Sequence, residues 1–201
     1  MSEEAFQILK NMNLDEIKTR IAFHCAPLLA AVKMSNLLTV PAVQKQNILR
    51  IFEQTDISCY ILWESEEKVT FLLYVKDRMK DYLNREDVND MMERLGYRKM
   101  ELDKVLERVS ERYTNHMDKD CCFPHEIGLL LGYPAGDVAG FMENQGKNFL
   151  CAGYWKVYGN LAEAIRTFRT YDIAQAVVMD MVRRGINIRE ILEMCRRREF
   201  G

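Results

Sequence analysis

Residues 57–75 read ISCYILWESEEKVTFLLYV, and this run decides the fold class. On either side of it apolar residues recur every third or fourth position. Here the period shifts toward two, in segments 57–64 and 68–75 that are rich in β-branched and aromatic residues and joined by an acidic turn around Glu66. Strand side chains alternate between faces, so the pair predicts a β-hairpin. The second segment is almost continuously apolar, which predicts cover on both of its faces. One later stretch, NFLCAGYWKVYG (148–159), alternates well enough to predict a third strand over 149–158, paired with the hairpin. The expectation is therefore an α+β chain: a small sheet of about three strands, the hairpin plus a late strand, packed by helices.

The flanks supply those helices. Asn13 with Glu16 three residues later, followed by Leu14, Ile17 and Ile21, predicts a helix over about 14–23. Pro27 biases Ala26 away from helical dihedrals and suits a first helical turn, so a second helix is expected to open there, with Cys25 just before it. After the hairpin, DRMKDYLN, REDVNDMMERLGY (stopping at Gly96) and KMELDKVLERVSERYTNH all read as helices. Beyond Asn160 the chain is helical to Gly185, as one helix or two, and Asn187 with Glu190 predicts a capping box for a last helix. Residues 1–171 are expected to form a single α+β domain and 172–201 a helical C-terminal extension. The apolar residues Ile173, Val177, Val178, Met181 and Val182 suit that extension to docking or to a homo-oligomer interface, and the core is expected to survive without it.

Composition excludes several classes. At 201 residues, 48% hydrophobic and 29% charged, the chain can bury a real core, and no run is long enough to span a bilayer. The opening MSEEAFQILK is acidic where a signal peptide would be basic, so a cytoplasmic location is expected, with no membrane partner. In that compartment the six cysteines read as free thiols. No C-x-x-C is present; Cys121, Cys122, His125 and Cys151 make the best available zinc set, and no metal is expected. A net charge of −2 spread along the chain argues against a nucleic-acid partner.

Most of the chemistry lies in residues 121–160, CCFPHEIGLLLGYPAGDVAGFMENQGKNFLCAGYWKVYGN, which hold seven of the ten glycines. Pro124 can open a helix at His125, Gly132 can end it, and Ala135–Asn144 can form a second one, a glycine-rich, helix-turn-helix-like arrangement. The second helix carries Asp137 and Glu143 and no Lys or Arg, so it reads as a packing motif.

Two blocks resemble a bacterial family of unknown function whose members are about 200 residues long. They are HCAPLLAAVK (24–33) and FPHEIGLLLGYPAGDVAGFMENQGKNFLCAGYWKVYGN (123–160), and the likeness covers most of residues 10–171. That family usually has Thr-Leu-Ala-Gly where this chain has Leu28, Leu29, Ala30 and Ala31. The resemblance implies no established activity. It implies a link to redox or iron metabolism, with a flavodoxin-like redox partner.

Three functional classes follow. A thiol-dependent enzyme would use Cys25 at a helix start as nucleophile, His125 as its base, and Glu126 or Asp137 to orient the imidazole. A cofactor-binding protein would take haem, flavin or another planar or anionic ligand. Tyr133, Tyr154, Trp155 and Tyr158 would wall it, Lys147 and Lys156 would meet its acidic groups, and His24, His125 or Cys25 would ligate iron. An interaction or scaffold protein would use its terminal helices. The first two share one geometric expectation: the Cys25 and His125 helix starts and the GYW strand meet around one pocket.

Overall fold

The computed structural model describes residues 12–13, 16–119 and 122–197. The hairpin forms as read: β2 (Ile57–Glu64) and β3 (Lys68–Val75) pair antiparallel, Ile57 opposite Val75, with a bulge between Ile61 and Trp63. The third strand comes from elsewhere. Strand β1 (Ser35–Pro41) pairs antiparallel with the other edge of β3, Ser35 opposite Tyr74 and Pro41 opposite Lys68, so β3 is central. Pro41 lacks a ladder donor and is tolerated at the end of an edge strand. The expected late strand over 149–158 is corrected. It reverses on itself as a separate two-stranded ladder, β4 (Cys151–Ala152) and β5 (Lys156–Val157). Its apolar alternation serves another purpose, burying Trp155 and Val157 against a helix.

The helices among the described residues are α1 (Ile17–Leu29), α2 (Lys45–Phe52), α3 (Lys76–Leu83), α4 (Glu86–Arg94), α5 (Leu102–Lys119), α6 (Glu126–Leu130), α7 (Ala135–Glu143), α8 (Leu161–Arg183) and α9 (Ile188–Arg197). They cover both faces of the sheet, which is why β3 is apolar along its length. Val69, Phe71 and Leu73 face one core, built with Ile21, Cys25 and Leu28 of α1, Ile48 and Phe52 of α2, and residues of α8 and α9. Leu72 and Tyr74 face a second core, built from α3 to α7 with Met79, Met92, Leu106, Ile127 and Val138 among its members.

Two expectations about the helices change. First, α1 does not break at Pro27: it begins at Ile17, runs through the proline to Leu29 and is capped by a left-handed Ala31 at φ +57°. Leu14, where the helix was expected to begin, lies outside the described residues. Second, α8 is one continuous helix that crosses the boundary expected at 171. Ala176, Val178 and Met179 beyond that point, with Ile188, Ile191 and Leu192 of α9, belong to the first core. Of the five apolar residues expected to dock or to form an interface, Val178 is fully buried in the first core, while Ile173 and Val177 remain exposed. The Asn187–Glu190 capping box forms reciprocally, at 3.0 and 3.2 Å. Gly96 and Gly185 end α4 and α8 as read.

A candidate ligand cleft

Residues 122–160 build a site on the second core. The helical hairpin α6–α7 closes tightly because Gly132 takes φ +77°, the left-handed position that ends α6, and the amide of Tyr133 then bonds back to the Gly128 carbonyl at 2.9 Å. The chain after α7 returns as β4–β5 and lies against α8. There Gly153 is approached so closely that a Cβ would stand 2.3 Å from the Phe168 ring, so only glycine fits.

Asp137 locks hairpin to helix. Its carboxylate is 4% exposed and accepts three hydrogen bonds, from Trp155 Nε1 at 2.7 Å and from the amides of Tyr158 and Gly159 at 2.8 and 2.9 Å. A buried carboxylate is costly unless bonded. Here the bonds fix the indole in place. Trp155 then stacks on Tyr133, centroids 5.2 Å apart and planes 29° apart, and meets Phe168 edge-on at 4.5 Å. Both geometries suit the ring quadrupoles.

Between α6–α7 and the hairpin lies a cleft of about 430 Å³, within the usual range for small-molecule sites. Its walls are Leu37 of β1, Phe123, Ile127, Leu131, Tyr133, Val138, Phe141 and Trp155. Two basic side chains face it without being consumed by the fold. The His125 ring sits 5.7 Å from Phe141 and has no hydrogen bond among the described residues; burial lowers its pKa, Glu126 opposing and Arg112 reinforcing, so the ring is neutral near pH 7 and keeps a nitrogen lone pair. Lys156 donates to the Gly146 carbonyl at 2.7 Å, leaving two N–H donors, and lies over the rings of Phe149 and Phe141.

The other candidates fall elsewhere. Cys25 is not at a helix start. It is fully buried two residues before Pro27 in the body of α1, and burial pushes its thiol up to about 12, Lys33 and Asn36 pulling the other way. It packs on the Val69–Phe71–Leu73 face, whereas α6, which His125 precedes, packs on the Leu72–Tyr74 face. The sheet therefore stands between the proposed nucleophile and its base, and the expected meeting of two helix starts around one pocket does not occur. Glu126 is wholly buried and engaged with α5 and the preceding loop: one oxygen takes both Arg112 at 2.9 Å and the Tyr97 hydroxyl at 2.5 Å. His24 is on the exposed side of α1, against Phe23, and burial followed by Arg20 lowers its pKa. Lys147 is exposed, and Tyr154 backs the wall through Phe168 while its hydroxyl meets Asp172 at 3.0 Å. Tyr133, Trp155, Lys156 and His125 are thus the sequence-derived residues that the fold assembles. Phe123, Phe141 and Leu37 were not anticipated, because a lone aromatic or a strand leucine carries no spacing signature.

Among the described residues no three His, Cys, Asp or Glu side chains gather as a metal set, and Cys121 lies outside them. Nor is any helix there long and apolar enough to cross a membrane. A family model described as "Protein of unknown function (DUF3793)" matches residues 21–192. The chain belongs to this family. The match takes in both sequence blocks and the whole cleft, and it runs past Tyr171 through α8 into α9, further than the two blocks alone suggested. No curated protein and no solved structure matches the chain.

Proposed function

We propose that this protein binds a flat, largely apolar ligand that carries an acidic group, in the cleft between α6–α7 and the β4–β5 hairpin. The observation that carries the reading is the cleft itself: about 430 Å³ of mostly aromatic and aliphatic wall, with His125 and Lys156 as basic groups that the fold leaves uncommitted. The fixed indole of Trp155 and the ring of Phe141 offer flat surfaces, and Lys156 suits a carboxylate or phosphate at one end. Haem and flavin are the two ligand types that fit such a donor set. A neutral His125 suits iron, and that residue alone separates the two. A link to redox chemistry, with a flavodoxin-like partner, belongs to the same proposal.

The test uses Trp155 as reporter in a Trp63→Phe background, titrated with protohaem and with FMN. Saturable quenching in the range of about 0.1–10 μM is expected for one of them, weakened by Lys156→Gln. His125→Ala should abolish the shifted haem absorption band and leave FMN binding unchanged. Absence of saturable quenching by either probe up to about 100 μM would overturn the proposal.

A further inference from the structure

On the far side of Tyr133 from its cleft contacts is a second concentration of unused donors. Lys33 is 6% exposed, its ammonium donates to Asn36 Oδ1 at 3.0 Å, and it lies 5.6 and 5.9 Å from the ring centres of Tyr133 and Tyr171. Among the described residues no carboxylate pairs with it. Taking an ammonium out of water is costly, and one amide oxygen with two ring faces offsets only part of that cost. The shortfall is visible in Lys33 itself, pushed down to about 8 by burial, with Cys25 opposing.

A second cation is tied to the same turn. Arg78 donates to the Ala31 carbonyl at 2.6 Å, two residues before Lys33, and forms no ion pair among the described residues. Its charge reaches the Tyr171 hydroxyl, whose pKa burial and the neighbouring Tyr133 hydroxyl push up to about 12 while Arg78 pulls it down. Among the described residues neither the Tyr133 nor the Tyr171 hydroxyl has a hydrogen-bond partner. Two cations and the phenols of Tyr133 and Tyr171, drawn from α3, from α8 and from the turns after α1 and α6, thus come together, and among the described residues neither cation has a carboxylate partner.

We infer that Lys33, Arg78 and the hydroxyls of Tyr133 and Tyr171 form a receptor for a small oxyanion, a phosphate or carboxylate group. Such a group supplies the counter-charge that Lys33 lacks and accepts from both phenols in charge-assisted hydrogen bonds. The inference stands whichever ligand occupies the cleft.

Phosphate stabilises many proteins merely by exclusion from their surface, so melting temperature alone is a poor readout. The better one is the NMR titration of the Lys33 side chain in lysine-labelled protein, assigned with Lys33→Met, in inorganic phosphate, acetate or sodium chloride at matched ionic strength. The expected result is a rise in the Lys33 pKa by about one unit or more in phosphate or acetate and none in chloride. Which of the two acts distinguishes phosphate from carboxylate recognition. The exposed substitution Arg78→Gln, which leaves the core untouched, should weaken the anion at least about tenfold. Identical Lys33 titration in all three salts, or undiminished anion binding by Arg78→Gln, would overturn the inference.

Discussion

The side-chain amide of Gln175 donates a 2.8 Å hydrogen bond to the backbone carbonyl of Phe23. Phe23 lies four residues before Pro27, so its carbonyl is the one that loses its helical donor to the proline. Gln175, from the middle of α8, replaces that donor and lets α1 continue to Leu29. Gln175→Leu should therefore cost about 1–3 kcal/mol, the usual penalty for a buried acceptor left unsatisfied, read as a lower urea midpoint at unchanged slope. In a Pro27→Ala background, where the N–H returns, the same substitution should cost much less. An equal cost in both backgrounds would show that the bond does not repair the proline.

The same contact bears on the C-terminal segment. Val178, Met179, Ile188, Ile191 and Leu192 are at most 3% exposed, and each fully buried large side chain contributes about 1.5–3 kcal/mol. Five of them amount to roughly the whole net stability of a domain, about 5–15 kcal/mol. A chain truncated after Tyr171 should accordingly be unfolded at room temperature by circular dichroism. Retention of cooperative thermal unfolding by that truncation would restore the boundary at 171.

Ala31 occupies the left-handed region at φ +57°, while the amide of Val32 closes back to the Pro27 carbonyl at 3.0 Å. This is the geometry of a helix C-terminus that favours glycine, and a Cβ there costs about 1–2 kcal/mol. It is also, with Leu28, one of the two positions at which this chain departs from the Thr-Leu-Ala-Gly pattern of the family it resembles. Ala31→Gly should raise the stability by about 1 kcal/mol, offset slightly by glycine's extra freedom when unfolded, and a calorimetric melting temperature checks it. A lower melting temperature would mean that the Ala31 methyl makes packing contacts worth more than the strain.

These residues also show where reading the letters stopped. The hairpin was legible because strand alternation is a local property, and so were the stops at Gly96 and Gly185 and the Asn187–Glu190 cap. Pro27 was misread because its remedy sits 148 residues later in Gln175. Strand β1 was missed because Ser35–Pro41 is short, ends in proline and shows little alternation; its pairing with β3 is what makes it a strand. In the site, clustered aromatics and glycines marked the right segment. They could not tell Trp155, which faces the cleft, from Tyr154, which faces α8 one residue away, nor show that a sheet separates Cys25 from His125.

Removal of the Asp137 carboxylate tests the lock on the cleft wall. Asp137→Ala leaves the Trp155 indole and two backbone amides without their acceptor, and should cost about 3–5 kcal/mol. Asp137→Asn keeps one carbonyl oxygen and should cost roughly half as much. In both variants Trp155 emission, read in the Trp63→Phe background, should shift to the red as the ring loosens. Unchanged emission in a folded Asp137→Ala protein would show that stacking on Tyr133 alone positions the indole.

Lys33 makes a pH-dependent prediction whose sign follows from its surroundings. The groups that face it are the Cys25 thiol, the Asn36 amide and the rings of Tyr133 and Tyr171, with Arg78 bonded to the same turn. Its pKa falls from the ordinary 10.5 to about 8 on folding, so between those values the native state holds fewer protons than the unfolded chain. Stability from this group therefore rises with pH across that window and is lost as pH falls through 8. At pH 7 the buried ammonium is a burden, and Lys33→Met, similar in volume and uncharged, should be the more stable protein. Between pH 8 and 9, below the range in which the Cys25 thiol ionises in the folded state, the wild type should close that gap by at most about 1.4 kcal/mol. Chemical denaturation of both proteins at pH 7, 8 and 9 in chloride measures it. A stability difference that stays constant across the three pH values would show that Lys33 is fully charged throughout and that its burial carries no titratable cost.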